Sequence, residues 1–255
     1  MEKPGLIVAP LTPFTADLDV DEGALRREID YVVRDCRATM VVAAGVETQE
    51  YTYLSLEQRK ALIRHTIACV DGRVPVMVGI SHPSFRTAIE LAHFAESLGA
   101  AAVQLLAPAR PFAGPPTHAD LIAYFEAIGR ESKLPIALYL NPGPGADVSI
   151  ADTIALAKLA RVELIKESSR DLARVSRLIV EIDRAGHARY FTPCKCCSPR
   201  SSWAAPARPC RRRRARSRGI SSMPSWPRTM NAPPRCSSSS RCSRRNGCTA
   251  GSPPS

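Results

Sequence analysis

Val162-Glu163-Leu164-Ile165-Lys166-Glu167-Ser168 is the stretch on which the reading of this chain turns. It is a short apolar run between a helical pattern and a polar turn, which predicts a buried strand. Such a strand is a poor place for an ammonium, because burying the charge is costly unless it is paired or neutralised. A lysine at the C-terminal end of a barrel strand has another use. Desolvation lowers its pKa and frees the amine lone pair to form a Schiff base. The plain alternative is a surface lysine whose head snorkels into water.

Working outward, Leu134-Pro135-Ile136-Ala137-Leu138-Tyr139-Leu140-Asn141-Pro142-Gly143 is a second apolar run, ending in a tyrosine and a proline-glycine turn. One helical pattern, Ile150 to Ala160, lies between the two runs. A strand-helix-strand unit of this kind puts Tyr139 and Lys166 at the same ends of neighbouring parallel strands. A phenol beside a Schiff-base lysine can relay protons to and from the carbinolamine and the substrate. The plain alternative for Tyr139 is an aromatic at the barrel mouth with its hydroxyl in water.

The alternation continues on both sides. Strands are predicted at Gly5 to Leu11, Thr39 to Gly45, Val74 to Ser81, Ala101 to Pro108 and Ala188 to Thr192. Helices are predicted from Asp21-Glu22 to Arg34, Leu56 to Val70 with Ser55 as cap, Ser84 to Leu98, Thr117 to Glu131 and Asp171 to Ala185. Strand-helix repeats mean a parallel sheet covered by helices, either a closed barrel or a doubly wound sheet. No Gly-x-Gly-x-x-Gly follows any strand, so a dinucleotide fold has no support. Candidate functional residues at the C-terminal ends of strands two, five and six suit a barrel.

A length of 255 residues fits one α/β barrel domain. No apolar run approaches the length of a membrane span, and Met1 to Gly5 has no apolar signal core, so the body reads as cytoplasmic. The net charge of +11 suggests nucleic acid until it is divided along the chain. Residues 193–255 carry 13 Arg, one Lys and no acidic residue, leaving the first 192 residues at −3. Seven of the nine cysteines and both tryptophans also fall in this tail, and Ile220 is its only branched aliphatic residue. Two compositions are joined in one chain, which predicts a barrel domain over 1–192 and a separate Arg/Ser/Pro/Cys-rich tail over 193–255.

At face value the tail is a basic disordered arm for nucleic acid or anionic surfaces. Its cysteines lack the paired spacing of a zinc site, so no metal is expected. A translation out of frame from a GC-rich gene explains more of the composition. For Ile220 to Ala232, one permitted codon set read from its third nucleotide gives Leu-Val-Asp-Ala-Phe-Leu-Ala-Lys-Asp-Tyr-Glu-Arg, an amphipathic helix. The switch is expected between Thr192 and about Cys197. The frameshift is preferred over a genuine nucleic-acid-binding arm.

The Tyr139 and Lys166 pair, with Pro142 three residues after the tyrosine, resembles the dihydrodipicolinate synthase and N-acetylneuraminate lyase family of pyruvate-dependent class I aldolases. The resemblance runs from Gly5 to about Thr192 and includes Thr12-Pro13-Phe14 after the first strand. It implies a TIM (β/α)8 barrel, incomplete here after strand seven. It implies a carbon-carbon or carbon-oxygen lyase or synthase acting on pyruvate or another 2-oxo acid and an aldehyde. Lys166 would form the Schiff base and Tyr139 would relay protons. No cofactor is implied, and intact members are expected to be homo-oligomers. Gly45-Val46-Glu47-Thr48-Gln49-Glu50 matches the place of the family's Gly-Thr-Thr-Gly-Glu. Thr48 would hold the substrate carboxylate. Glu47 replaces a threonine of the proton relay and is a further acid/base candidate, or a solvent-facing loop carboxylate.

Two departures bear on the second substrate. The synthases place a tyrosine after the strand-four proline and an arginine two residues past Tyr-x-x-Pro; here Ala109 and Pro144 stand there. Arg110 is the candidate that would take over recognition of an acidic second substrate. The alternatives kept open are 4-hydroxy-tetrahydrodipicolinate synthase proper, an inactive truncated member, and the basic-tail nucleic-acid binder.

Overall fold

Seven parallel strands stand in the order in which the chain makes them, each beside its sequence neighbour. The structure, a computed structural model, describes residues 5–45, 53–109, 114–143 and 145–192. Among these, the strands are β1 (Ile7–Val8), β2 (Met40–Ala43), β3 (Val76–Gly79), β4 (Ala102–Leu106), β5 (Ile136–Leu140), β6 (Val162–Glu167) and β7 (Arg189–Phe191). Helices α1 (Glu22–Arg34), α2 (Leu56–Val70), α3 (Phe85–Ser97), α4 (His118–Glu131), α5 (Ile150–Ala157) and α6 (Leu172–Leu178) alternate with them. A doubly wound sheet reverses its strand order at a switch point, and this sheet never does.

Side-chain alternation divides the core into two faces. Val41, Val78, Val103, Leu105, Leu138 and Ile165 face the helices and join the larger apolar cluster. Met40, Val42, Met77, Ala102, Ala137 and Leu164 face inward, and both edge strands send residues onto this inner group, Ile7 from β1 and Phe191 from β7. The sheet is therefore curled, an incomplete TIM barrel with a side-chain-filled interior.

Local chemistry sets the helix starts. Asp21 accepts from the Ala24 amide at 2.8 Å, and Leu25, Ile29 and Val32 form the buried stripe of α1. Capping boxes begin α2, from Ser55 with Gln58, and α4, from Thr117 with Asp120.

Several elements are shorter than their sequence patterns, β1, α5 and the last helix among them. The β1 ladder covers Ile7–Val8 only, and Pro10, two residues on, has no amide to continue it. Helix α5 ends at Ala157, where Lys158 caps it and a tight turn feeds β6 through the Val162 amide and Leu159 carbonyl. The last helix is α-helical only to Leu178 and then widens into a π-helix over Ile179–Arg184. Its buried residues, Val175, Leu178, Ile179 and Ile182, keep ordinary helical spacing, so nothing in the sequence marks the change.

Candidate active site

Leu106, Tyr139, Lys166 and Phe191 are Cα partners across β4, β5, β6 and β7, forming one row near the C-terminal ends of the strands. The sequence-predicted pair is thus brought together in register. The Lys166 Nζ stands 4.1 Å from the centroid of the Tyr139 ring. Tyr139 is buried, packed with Leu106. Tyr139 and Phe191 put an aromatic ring on each neighbouring strand. Burial lowers the Lys166 pKa from 10.5 to about 8. Burial also raises the Tyr139 phenol above its ordinary value, and hydrogen bonds with the Ser168 and Asn141 side chains draw it partly back. At neutral pH Tyr139 is therefore a protonated donor beside an amine that is easily neutralised.

The inward aim of Lys166 follows from its neighbour. Glu167 points the other way, toward the helices, and is fully buried. Its Oε2 accepts from Arg174 Nε at 3.1 Å, and its Oε1 accepts from the Ser169 amide at 2.9 Å. Arg174 also donates to the Thr153 hydroxyl at 3.1 Å. Removing one partner of a buried, hydrogen-bonded ion pair is strongly destabilising, so this anchor holds the β6 terminus and keeps Lys166 on the inner face. Beyond β6 the ladder continues one step, from the Ser168 amide to the Leu140 carbonyl at 2.9 Å. That bond keeps Ser168 beside the end of β5.

Close backbone approaches shape the rest of this face. A Cβ on Gly79 would collide with the Ala44 carbonyl oxygen, so only glycine lets the end of β2 cross β3 there. The buried Arg59 guanidinium fixes the end of β3, donating to the carbonyls of Ser81 at 2.8 Å and Gly79 at 2.7 Å. Gly145 also lies close to the end of β4, where a Cβ would meet the Ala107 carbonyl oxygen at 2.7 Å.

Glu47, Thr48 and Arg110 lie outside the described residues, as does Pro144. Sequence reasoning missed Ser168 and Asn141 as partners of the phenol, and Glu167 with Arg174 as the anchor. Parity could have found Glu167, since a residue next to an inward lysine must face the helices, but not its partner Arg174. Among the described residues, no group of three or more His, Cys, Asp or Glu side chains is placed to hold a metal ion. No helix among them is long and apolar enough to cross a membrane.

A curled parallel barrel with a desolvated lysine and a tyrosine on adjacent strand ends defines a class in which chemistry sits at the C-terminal face. Residues 2–187 match the dihydrodipicolinate synthetase family, and the chain belongs to that family. A 4-hydroxy-tetrahydrodipicolinate synthase from Bacillus velezensis is 33% identical over 182 residues, covering 71% of this chain and 61% of the relative. The chain thus spans about three fifths of that relative's length. A solved dihydrodipicolinate synthase from Acinetobacter baumannii, complexed with pyruvate, superposes with a TM-score of 0.67 at 30% identity, over 74% of this chain and 63% of that one. An N-acetylneuraminate lyase from Mycoplasma synoviae shares the fold, with a TM-score of 0.64 at 22% identity, over 74% of this chain and 62% of that one.

Proposed function

We propose that this chain is a Schiff-base-forming lyase or aldolase acting on pyruvate or another 2-oxo acid. The observation that carries the reading is Lys166, its amine pKa brought to about 8 by burial and its Nζ against the face of a protonated Tyr139. The neutral amine attacks C2 of the 2-oxo acid. The C2 oxygen leaves as water, with the Tyr139 hydroxyl supplying and recovering the proton. The resulting iminium acidifies C3, and loss of a C3 proton gives the enamine. That carbon then adds to an aldehyde, or the same steps in reverse release one. Hydrolysis returns the lysine. No step requires a metal or an organic cofactor.

Thr48 is assigned to the substrate carboxylate, Glu47 to a second acid/base role and Arg110 to an acidic second substrate, each from its place in the sequence. The relatives' synthase activity is the second reading, supported by the B. velezensis similarity. Against it stand Pro144 and Ala109, which occupy the places of an arginine and a tyrosine. Losing a bidentate carboxylate partner weakens capture of an acidic aldehyde.

Enamine formation is tested by incubating the chain with pyruvate in deuterium oxide and following loss of the methyl proton signal. Exchange that depends on Lys166 supports the reading, and exchange unchanged in Lys166→Ala overturns it.

A further inference from the structure

One inner-face position below Leu106, β4 carries Gln104. The residue is 0% exposed, and neither Oε1 nor Nε2 has a hydrogen-bond partner. A buried carboxamide without partners destabilises a fold, and the inner face around it is otherwise apolar. Its Cα partners are Gly79 on β3 and Ala137 on β5, so a long polar side chain stands between two of the smallest residues. The row of Gln104 lies two residues, about 7 Å, beneath the row of Lys166. The Lys166 side chain leans over the Tyr139 ring on β5, that is, toward β4. Gln104 and Lys166 thus share the inner face of the curl, Gln104 one inner-face row beneath the lysine.

We propose that Gln104 is a specificity residue, accepting and donating to a hydroxyl on C3 of the 2-oxo acid, so that the site prefers a 3-hydroxy-2-oxo acid to pyruvate. This rests on the Schiff-base reading above, which places C2 on Lys166 and leaves C3 and the carboxylate to find partners. A hydroxyl both donates and accepts and so satisfies Nε2 and Oε1 together. A carboxylate only accepts and would leave Oε1 unpaired, while a methyl group would leave both unpaired. A site built to hydrogen-bond a hydroxyl discriminates strongly against the analogue that lacks it, because its own polar atoms are then stranded.

The test is competitive trapping of the full chain with equal pyruvate and 3-hydroxypyruvate in the presence of borohydride. The two reduced adducts on the Lys166 peptide differ in mass by one oxygen. The hydroxypyruvate adduct should exceed the pyruvate adduct by about tenfold or more. Gln104→Leu and Gln104→Met, each checked for folding by circular dichroism, should lose or reverse that excess while still trapping pyruvate. Equal labelling in the unmodified chain, or the same ratio in the variants, overturns the specificity role and leaves the Schiff-base reading standing. Absence of both adducts from the unmodified chain overturns both.

Discussion

Lys166 and Tyr139 are Cα partners across β5 and β6, and the lysine nitrogen lies 4.1 Å from the centre of the tyrosine ring. Everything proposed for the site depends on this pairing. It places an amine that must lose its proton beside a phenol that keeps its own.

The first consequence is a pH profile. With a pKa of about 8, Lys166 is half neutral near pH 8, where an ordinary lysine is almost fully charged. Labelling of Lys166 by an amine-selective reagent should rise to half its plateau near pH 8. The linked effect on stability has a definite sign. The folded pKa lies below the unfolded 10.5, so the unfolded state binds the extra proton. Burial of this amine is therefore most destabilising below about pH 8 and is relieved as pH rises toward 10.5. Denaturant midpoints should show Lys166→Met more stable than the parent at pH 7, with the gap closing by pH 10. A gap independent of pH would mean that the amine is not desolvated.

Tyr139→Phe keeps the ring under Lys166 and removes the proton relay. Pyruvate deuterium exchange should slow about a hundredfold or more, while the circular dichroism spectrum is unchanged. An exchange rate equal to the parent's would assign the relay to another group.

Gly79→Ala tests the close approach of β2 to β3. The new methyl would meet the backbone oxygen of Ala44, which cannot rotate away. Loss of about 1–3 kcal/mol in denaturant unfolding is expected, together with weaker Schiff-base formation, because Ala44 at the end of β2 is pushed away from β3. A fully stable Gly79→Ala would contradict the crossing.

Much of this was legible in the sequence, and the reasons are specific. The strand-helix spacing between Tyr139 and Lys166 forces parallel neighbours, but their exact pairing depends on a register shift between Ile136 and Ala137 that the apolar runs do not show. Gln104 was hidden because Ala102-Val103-Gln104-Leu105-Leu106 reads as one apolar strand. Only knowing which parity faces inward makes its amide conspicuous. The Glu167 and Arg174 pair was hidden for a different reason. It joins a strand end to a helix seven residues on, and such a contact leaves no periodic trace. The widening of the last helix into a π-helix keeps the apolar spacing and is likewise silent.

We propose that the composition break at Pro193 is a matter of coding. We attribute residues 193–255, with their 13 arginines and no acidic residue, to translation out of frame. Resequencing the gene across codons 190–200 should reveal an inserted or deleted nucleotide. An intact frame there would restore the basic arm as a genuine part of the protein.

The central claim is that Lys166 is the nucleophile, and reductive trapping tests it most directly. The chain incubated with pyruvate and borohydride should gain a single reduced adduct, mapped by peptide mass spectrometry to Lys166 and absent from Lys166→Ala. An adduct on another lysine, or one that persists in Lys166→Ala, would contradict the account.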